Sequence, residues 1–362
     1  MKNSIADILN ISQGRGFIRF GNSDGKSWIV PIKNMSTALN LYQPSSTKGK
    51  LVKRMLPWLH HLQPLRRAIK AETFNCALQP ELQELLCRIF NKEHLEFSIF
   101  EGTPCVHRKA TIQLSSGNEI IGYCKASDNN DILTLFEKES KLLAELHKRG
   151  VESIPQPLFC GTLRGGTHVF VQSTVKTTHS SVPHKWGSPQ ERFLAHLQEK
   201  TKQTILFEES DYYKTLTALQ EHLAWLPAAA DRLVVESAIA GVMSRNSGKK
   251  VEYSAYHGDF TPWNMFVEKG KLFVFDFEYG ALTYPHGLDK CHFELQSLIF
   301  EKRMNAEQIV AFYTQRNGQE KEILILYLLD IISRFTVREG GEAKGEELHS
   351  LNIWCSVLKN IM

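Results

Sequence analysis

The rhythm of hydrophobic and polar positions changes along the chain. Residues 17–32, FIRFGNSDGKSWIVPI, hold two short apolar runs around a Gly/Asn/Asp/Ser turn and predict a pair of strands. Residues 50–70, KLVKRMLPWLHHLQPLRRAIK, carry apolar side chains at 52, 55, 56, 59, 62, 65 and 69. That is helical spacing, interrupted by Pro57 and Pro64. Residues 80–94 predict another helix. From about residue 96 the runs become short and β-rich: FSIF, KATIQL, EIIGYCKA and THVFVQS, each bounded by Gly, Ser or Asn. One strong helix, DILTLFEKESKLLAELHKRG, lies among them, with Asp131 as its expected N-cap and Gly150 as its stop. After about residue 176 the pattern is mainly helical. The exception is a hairpin in which MFV and LFVFDF flank the turn EKGK. The expected fold is therefore α+β: a small antiparallel β lobe with one helix, then a larger, mainly helical lobe.

Composition adds class and compartment. Apolar residues make up 42% of the 362 residues and charged residues 23%, as in a globular chain with a buried core. Seven scattered cysteines without a CxxC pair read as reduced thiols in a cytoplasmic protein. The first twenty residues lack the long apolar stretch of a signal peptide, and no uncharged apolar run is long enough to span a membrane. Net charge is +4, but unevenly spread: residues 1–95 carry 14 Lys/Arg against 6 Asp/Glu. Between Asp24 and Glu72 there are nine basic residues and no acidic one. These contrasts divide the chain into a basic N-terminal extension (1–95), a small lobe (96–175) and a helical lobe (176–362).

The hairpin gives the spacing of nearby polar residues a chemical meaning. Asn264 precedes its first strand and Asp276 ends its second, so antiparallel pairing brings both to one point. Asp259 stands one short loop upstream. Few oxygen donors beside apolar strands suit Mg²⁺, which takes the rest of its shell from water and phosphate. A further Asp can accept a hydrogen bond from a substrate hydroxyl. Singly, each residue has a plainer use: Asp259 as a turn cap, Asn264 as a hairpin start, His257 as a bonded core residue. In the helix at 131–149, Glu139 falls in the middle of an apolar stripe, where a carboxylate is costly unless paired. Lys125, on a flanking strand, is the nearest cationic candidate. The plainer alternative has Lys125 reaching water and Glu139 at the edge of the stripe.

His257-Gly258-Asp259, four intervening residues, Asn264, and a strand ending in Asp276-Phe277-Glu278 resemble the catalytic stretch of the aminoglycoside phosphotransferase and choline kinase family, a branch of the protein-kinase-like fold. The resemblance covers about residues 96–300 and implies a two-lobed fold. It implies Asp259 as the catalytic Asp, Asn264 and Asp276 as magnesium ligands, and Lys125 held by Glu139 on nucleotide phosphates. Two departures separate the chain from protein kinases: Asp-Phe-Glu in place of Asp-Phe-Gly, and Phe260-Thr261 where Ser/Thr kinases carry Lys. Gly102 to Arg108 are candidates for the phosphate-covering loop, Phe170 to Thr174 for the connection between lobes, and Asp289 for a structural role.

The expected activity is transfer of the γ-phosphoryl of ATP or GTP, with Mg²⁺, to a hydroxyl of a sugar, amino alcohol or aminoglycoside. A non-catalytic nucleotide-binding module and a protein kinase are the rival readings. For the acceptor pocket, Glu191, Glu199, Glu208, Glu209 and Asp211 offer acid, while Trp186, Tyr212, Tyr213, Trp225 and Trp263 offer aromatic faces. The sequence does not choose among them. The basic segment 25–71 reads as a solvated helix packed on the small lobe or as a contact with an anionic membrane surface. The solvated helix is the favoured reading, and nucleic-acid binding, a third, rests on charge alone, which is weak evidence.

Overall fold

Alternation with period two decides where the first strands send their side chains. In the computed structural model, which describes residues 8–23, 25–44, 46–102, 108–227, 230–316 and 318–362, neighbours Phe17 and Ile18 enter different cores. The chain divides into two units, Met1–His147 with Glu152–Ser181 and Phe266–Val274, and Lys148–Val151 with Val182–Met265 and Phe275–Met362.

In the first unit the elements run β1 (Leu9–Gly21), β2 (Ser27–Pro31), α1 (Met35–Ala38), α2 (Thr47–Leu59), α3 (Gln63–Ala68), β3 (Glu72–Leu78) and α4 (Pro80–Phe90). They continue with β4 (Glu96–Glu101), β5 (Ala110–Ser116), β6 (Glu119–Ser127), α5 (Asn130–Lys148), β7 (Pro157–Thr162) and β8 (His168–Ser173). The strands form one eight-stranded sheet, ordered β3-β1-β2-β4-β5-β6-β8-β7. The basic N-terminal strands thus extend the sheet of the small lobe, β2 pairing with β4 at Trp28 opposite Phe100. Leu82, Leu85 and Leu86 of α4 pack with Phe17, Ile99, Ile112 and Val171 in one core. Leu56 of α2 packs with Ile18, Phe20, Trp28 and Val30 in another.

Strands β3 and β7 escaped the sequence pattern. In β3, Cys76 and Leu78 are buried and Phe74 half-buried on one face, an alternation blurred in the sequence by Ala77, and no residue of β7 is buried. Helix α5 begins one residue earlier than expected. Asn129, rather than Asp131, acts at its start: its side-chain oxygen accepts from the Asp131 amide at 2.8 Å. The stop is Gly150, in the left-handed region at φ 81°.

In the second unit, α6 (Ser188–Thr201), β9 (Gln203–Leu206), α7 (Asp211–Glu221), α8 (Arg232–Asn246) and β10 (Lys250–Tyr256) come first. The chain then forms the hairpin of β11 (Met265–Glu268) and β12 (Lys271–Val274), of which Phe266–Val274 counts with the first unit. There follow β13 (Ala281–Tyr284), α9 (Leu288–Gln296), α10 (Ala306–Thr314), α11 (Gly318–Arg338) and α12 (Gly345–Ile361). Strands β13, β10 and β9 make a small sheet that the helical pattern concealed, each strand being short and partly polar. Helix α11 is the central element: Leu324, Tyr327, Leu328, Leu329, Asp330, Ile331 and Ile332 are all buried. Two polar members of that helix, Tyr327 and Asp330, matter below.

Candidate active site

The stretch from Tyr256 to Asn264 links β10 to the hairpin, and its backbone is fixed from several sides. Gly258 has φ 85°, and a Cβ there would lie 2.6 Å from the Tyr279 carbonyl oxygen. Only glycine fits without strain between His257 and Asp259. The Asp289 carboxylate on α9 accepts from the amides of His257 (2.9 Å) and Gly258 (3.1 Å), the structural role expected of it. Burial pushes the Asp289 carboxyl up to about 7, against the pull of those amides and of Arg334. From α11, Arg334 donates to the Gly258 carbonyl and, at 2.7 Å, to Asp330.

His257 is fully buried. Its Nδ1 accepts from the Asp259 amide at 3.1 Å, so its Nε2 carries the proton and donates to the Phe275 carbonyl at 3.0 Å. The ring lies 4.3 Å from that of Phe277. Burial lowers its pKa to about 4, which keeps it neutral. This histidine ties the Asp259 loop to the residue just before Asp276.

Asp259 is held at both carboxylate oxygens. Asn264 Nδ2 donates to Oδ2 at 2.6 Å, and also to the Asp259 backbone oxygen at 3.0 Å. His292 Nε2 meets Oδ1 at 2.9 Å. The other ring nitrogen of His292 meets the Tyr327 hydroxyl at 2.9 Å. Burial works against the carboxylate charge. The hydrogen bond and charge of His292, with His257, nevertheless hold its pKa below the ordinary value, while the Asp276 carboxylate pushes the other way. The side chain keeps 30% exposure. The result is an ionised carboxylate of fixed orientation. His292 and Tyr327 were missed by sequence reasoning. The only cue was a histidine three residues after Asp289, one turn further along the same helical face.

The hairpin closes as its spacing required. Lys269 (φ 49°) and Gly270 (φ 77°) make the two-residue turn, and the Phe275 amide donates to the Asn264 carbonyl at 3.0 Å. Asn264 and Asp276 thus leave adjacent points of the backbone. With its amide nitrogen turned to Asp259, Asn264 directs its amide oxygen the other way. Asp276 has φ 71°, rare outside glycine, and its charge acts on both Asp259 and His257. An amide oxygen and a carboxylate in this setting are a donor set that fits Mg²⁺. Among the described residues no group of three or more His, Cys, Asp or Glu is placed to hold a metal by itself.

In the first unit, Lys125 on β6 and Glu139 on α5 meet at 2.6 Å, with side chains 5% and 0% exposed. The Lys125 ammonium lies 5.8 Å from the centre of the Phe170 ring. Phe170 itself sits inside β8, which runs on to Ser173, so the expected connection begins later than residue 170. Its continuous buried run explains the longer strand. In the expected phosphate-covering loop, residues 103–107 lie outside the described residues.

Several acceptor-pocket candidates have other work. Glu208 accepts from the Ser247 hydroxyl and the Gly248 amide. Asp211 accepts from Thr283 at 2.8 Å and Lys214 at 3.0 Å. Tyr212 is core, its hydroxyl donating to Leu326. Trp186 packs edge-on against Phe260 and Phe293. Trp263 is 57% exposed in the turn between Asp259 and Asn264 and is the aromatic candidate nearest the carboxylates in the chain.

No family model matches the chain, and no curated protein matches it. Solved structures do. A thermostable mutant of aminoglycoside phosphotransferase APH(4)-Ia, in ternary complex with AMP-PNP and hygromycin B, matches with TM-score 0.52 and 11% identity, over 78% of this chain and 99% of that one. A thermostable mutant of the same enzyme in its apo form matches with TM-score 0.51 and 11% identity, over 77% and 98%. The chain therefore has the protein-kinase-like fold of these phosphotransferases, as the resemblance at its catalytic stretch implied.

Proposed function

We propose that this protein is a small-molecule kinase that transfers the γ-phosphoryl of ATP or GTP to a hydroxyl group. The observation that carries the reading is the Asp259 carboxylate, ionised, partly exposed and gripped at both oxygens by His292 and Asn264. Asp259 accepts the hydrogen bond of the acceptor hydroxyl and aligns its oxygen for in-line attack. The Lys125 ammonium, fixed by Glu139, binds nucleotide phosphate oxygens. Asn264 and Asp276 would hold Mg²⁺, which when bound neutralises charge on the β- and γ-phosphates.

The acceptor is a sugar, amino alcohol or aminoglycoside rather than a protein. The Asp-Phe-Glu triplet and the Phe260-Thr261 pair support that choice. The described cysteines are free thiols, which supports a cytoplasmic enzyme. No helix among the described residues is long and apolar enough to cross a membrane.

Thermal stability measured with ATP or GTP, each with and without Mg²⁺, tests the nucleotide half of the reading. The expected result is a Mg²⁺-dependent rise in melting temperature that Asp276→Asn abolishes. A radiolabelled-phosphate screen of sugars, amino alcohols and aminoglycosides tests the chemical half. Turnover by Asp259→Asn equal to that of the parent protein would remove Asp259 from the mechanism.

A further inference from the structure

Helix α2 is two-faced in an unusual sense. Its inner face is ordinary: Leu56 is buried against Ile18, Trp28 and Val30, and the Ser46 side chain caps its start by accepting from the Gly49 amide at 3.1 Å. Its outer face carries Thr47, Leu51, Arg54 and Trp58 at spacings of four, three and four, all exposed, and Leu62 continues the line into the next turn. Leu51 is 56% exposed, Trp58 78% and Leu62 41%. A solvated helix face has no reason to display a tryptophan and two leucines in register.

The charges around this stripe are of one sign. Lys48, Lys50, Arg54, Arg67 and Lys70 are exposed on α2, α3 and the residues beside them, and residues 25–71 contain no Asp or Glu. None of these five cations forms an ion pair among the described residues, whereas other exposed cations of the protein do, such as Lys141 with Glu137 and Lys214 with Asp211. A second copy of the chain is a poor occupant, since a two-fold contact would press the same cations together. Nucleic acid would use the cations but not the apolar stripe. A bilayer bearing anionic phospholipid uses both: Trp and Leu enter the boundary between headgroups and acyl chains, while Lys and Arg meet the headgroup charge.

We propose that the outer face of α2 and α3 is a membrane-docking surface for bilayers containing anionic phospholipid. The surface belongs to the first unit and its argument does not draw on the phosphotransferase reading, so either can fail alone.

The test is sedimentation of the full-length protein with large unilamellar vesicles of phosphatidylcholine, alone or with about a third phosphatidylglycerol. Binding to the anionic vesicles should exceed binding to the neutral ones at least tenfold and weaken as salt is raised. Each exposed cation removed should lower partitioning about fivefold, so Lys50→Glu/Arg54→Glu/Arg67→Glu should abolish it. Leu51→Gln/Trp58→Gln, which leaves every charge in place, should lower it tenfold or more. All five positions are exposed, and an unchanged melting temperature verifies that both variants fold. Equal binding to neutral and anionic vesicles would overturn the proposal, as would wild-type binding by either variant. Tight binding of duplex DNA or RNA, with vesicles ignored, would overturn it in favour of a nucleic-acid surface.

Discussion

Substitution of His292 by Ala gives the sharpest test of how the site works. It removes the partner 2.9 Å from Asp259 Oδ1 and, with it, the ring nitrogen that meets the Tyr327 hydroxyl on the other side. A hydrogen bond to a charged group contributes roughly 1.5–3 kcal/mol. The Asp259 side chain is 30% exposed, so water recovers part of the loss and the lower half of that range applies. That is about a 13–45-fold fall in the rate of phosphoryl transfer. The assay is Mg²⁺-dependent release of radiolabelled phosphate from ATP or GTP, and transfer to an acceptor once the screen supplies one. A pH profile separates positioning from mere support. His292 holds the Asp259 carboxyl down, so without it the carboxyl rises and the acid limb of the profile moves to higher pH. His292→Gln places an amide nitrogen near the lost Nε2 and should recover much of both effects. If His292→Ala works within threefold of the parent and keeps the same acid limb, the His292 contact has no part in aligning the base.

Three further outcomes follow from the same geometry. Lys125→Met leaves Glu139 charged and buried, which should cost about 3–5 kcal/mol, whereas Lys125→Met/Glu139→Leu should regain most of it; urea denaturation of single and double variants checks this, and additive losses would contradict it. Gly258→Ala sets a Cβ against the Tyr279 carbonyl at a positive φ, and a loss of about 1–3 kcal/mol is expected from melting curves, an unchanged stability being the contrary result. His257 titrates near 4 in the folded protein because burial disfavours its charge, against about 6.5 when unfolded. It therefore contributes about 3 kcal/mol that is present above pH 6.5 and lost as pH falls through 4, since the unfolded chain takes up the proton first. The stability of His257→Gln should be correspondingly flatter over that range, and parallel curves for the two proteins would refute it.

What the sequence disclosed, it disclosed through local pattern. The hairpin was legible because an apolar run, a Lys-Gly turn and a second apolar run lie within thirteen residues. The Lys125–Glu139 contact was legible because a charge on an apolar helix stripe demands a partner, and only a few strand cations were near enough in the chain. The edge strand β3 was illegible because Ala77 blurs the short alternation of Phe74, Cys76 and Leu78, and β7 because its residues are mostly half-exposed and do not alternate. Strands β9, β10 and β13 hid for a different reason. They are four to seven residues long and owe their pairing to partners up to about fifty residues away, as with Gln203 opposite Tyr253 and Ser254 opposite Tyr284. Tyr327 was beyond reach altogether: one tyrosine in a helix buried on most sides gives no sign of which neighbour its hydroxyl meets.

Helix α9 shows how few residues are needed to fix one acidic side chain. Asp289 and His292 stand three residues apart and so share a face. One holds the backbone amides of His257 and Gly258, and the other holds the Asp259 carboxylate. The loop and its acidic side chain are therefore referenced to the same rigid element, and Asp259 cannot turn without breaking with the helix that anchors its own backbone. Helix α11 meets this arrangement at two points, through Arg334 on the Gly258 carbonyl and Tyr327 behind His292. Because α11 is buried along most of its length, a displacement there would reach the Asp259 carboxylate through hydrogen bonds rather than through loop flexibility. Substitutions on α11 far from the carboxylates in sequence should then change turnover more than they change nucleotide affinity.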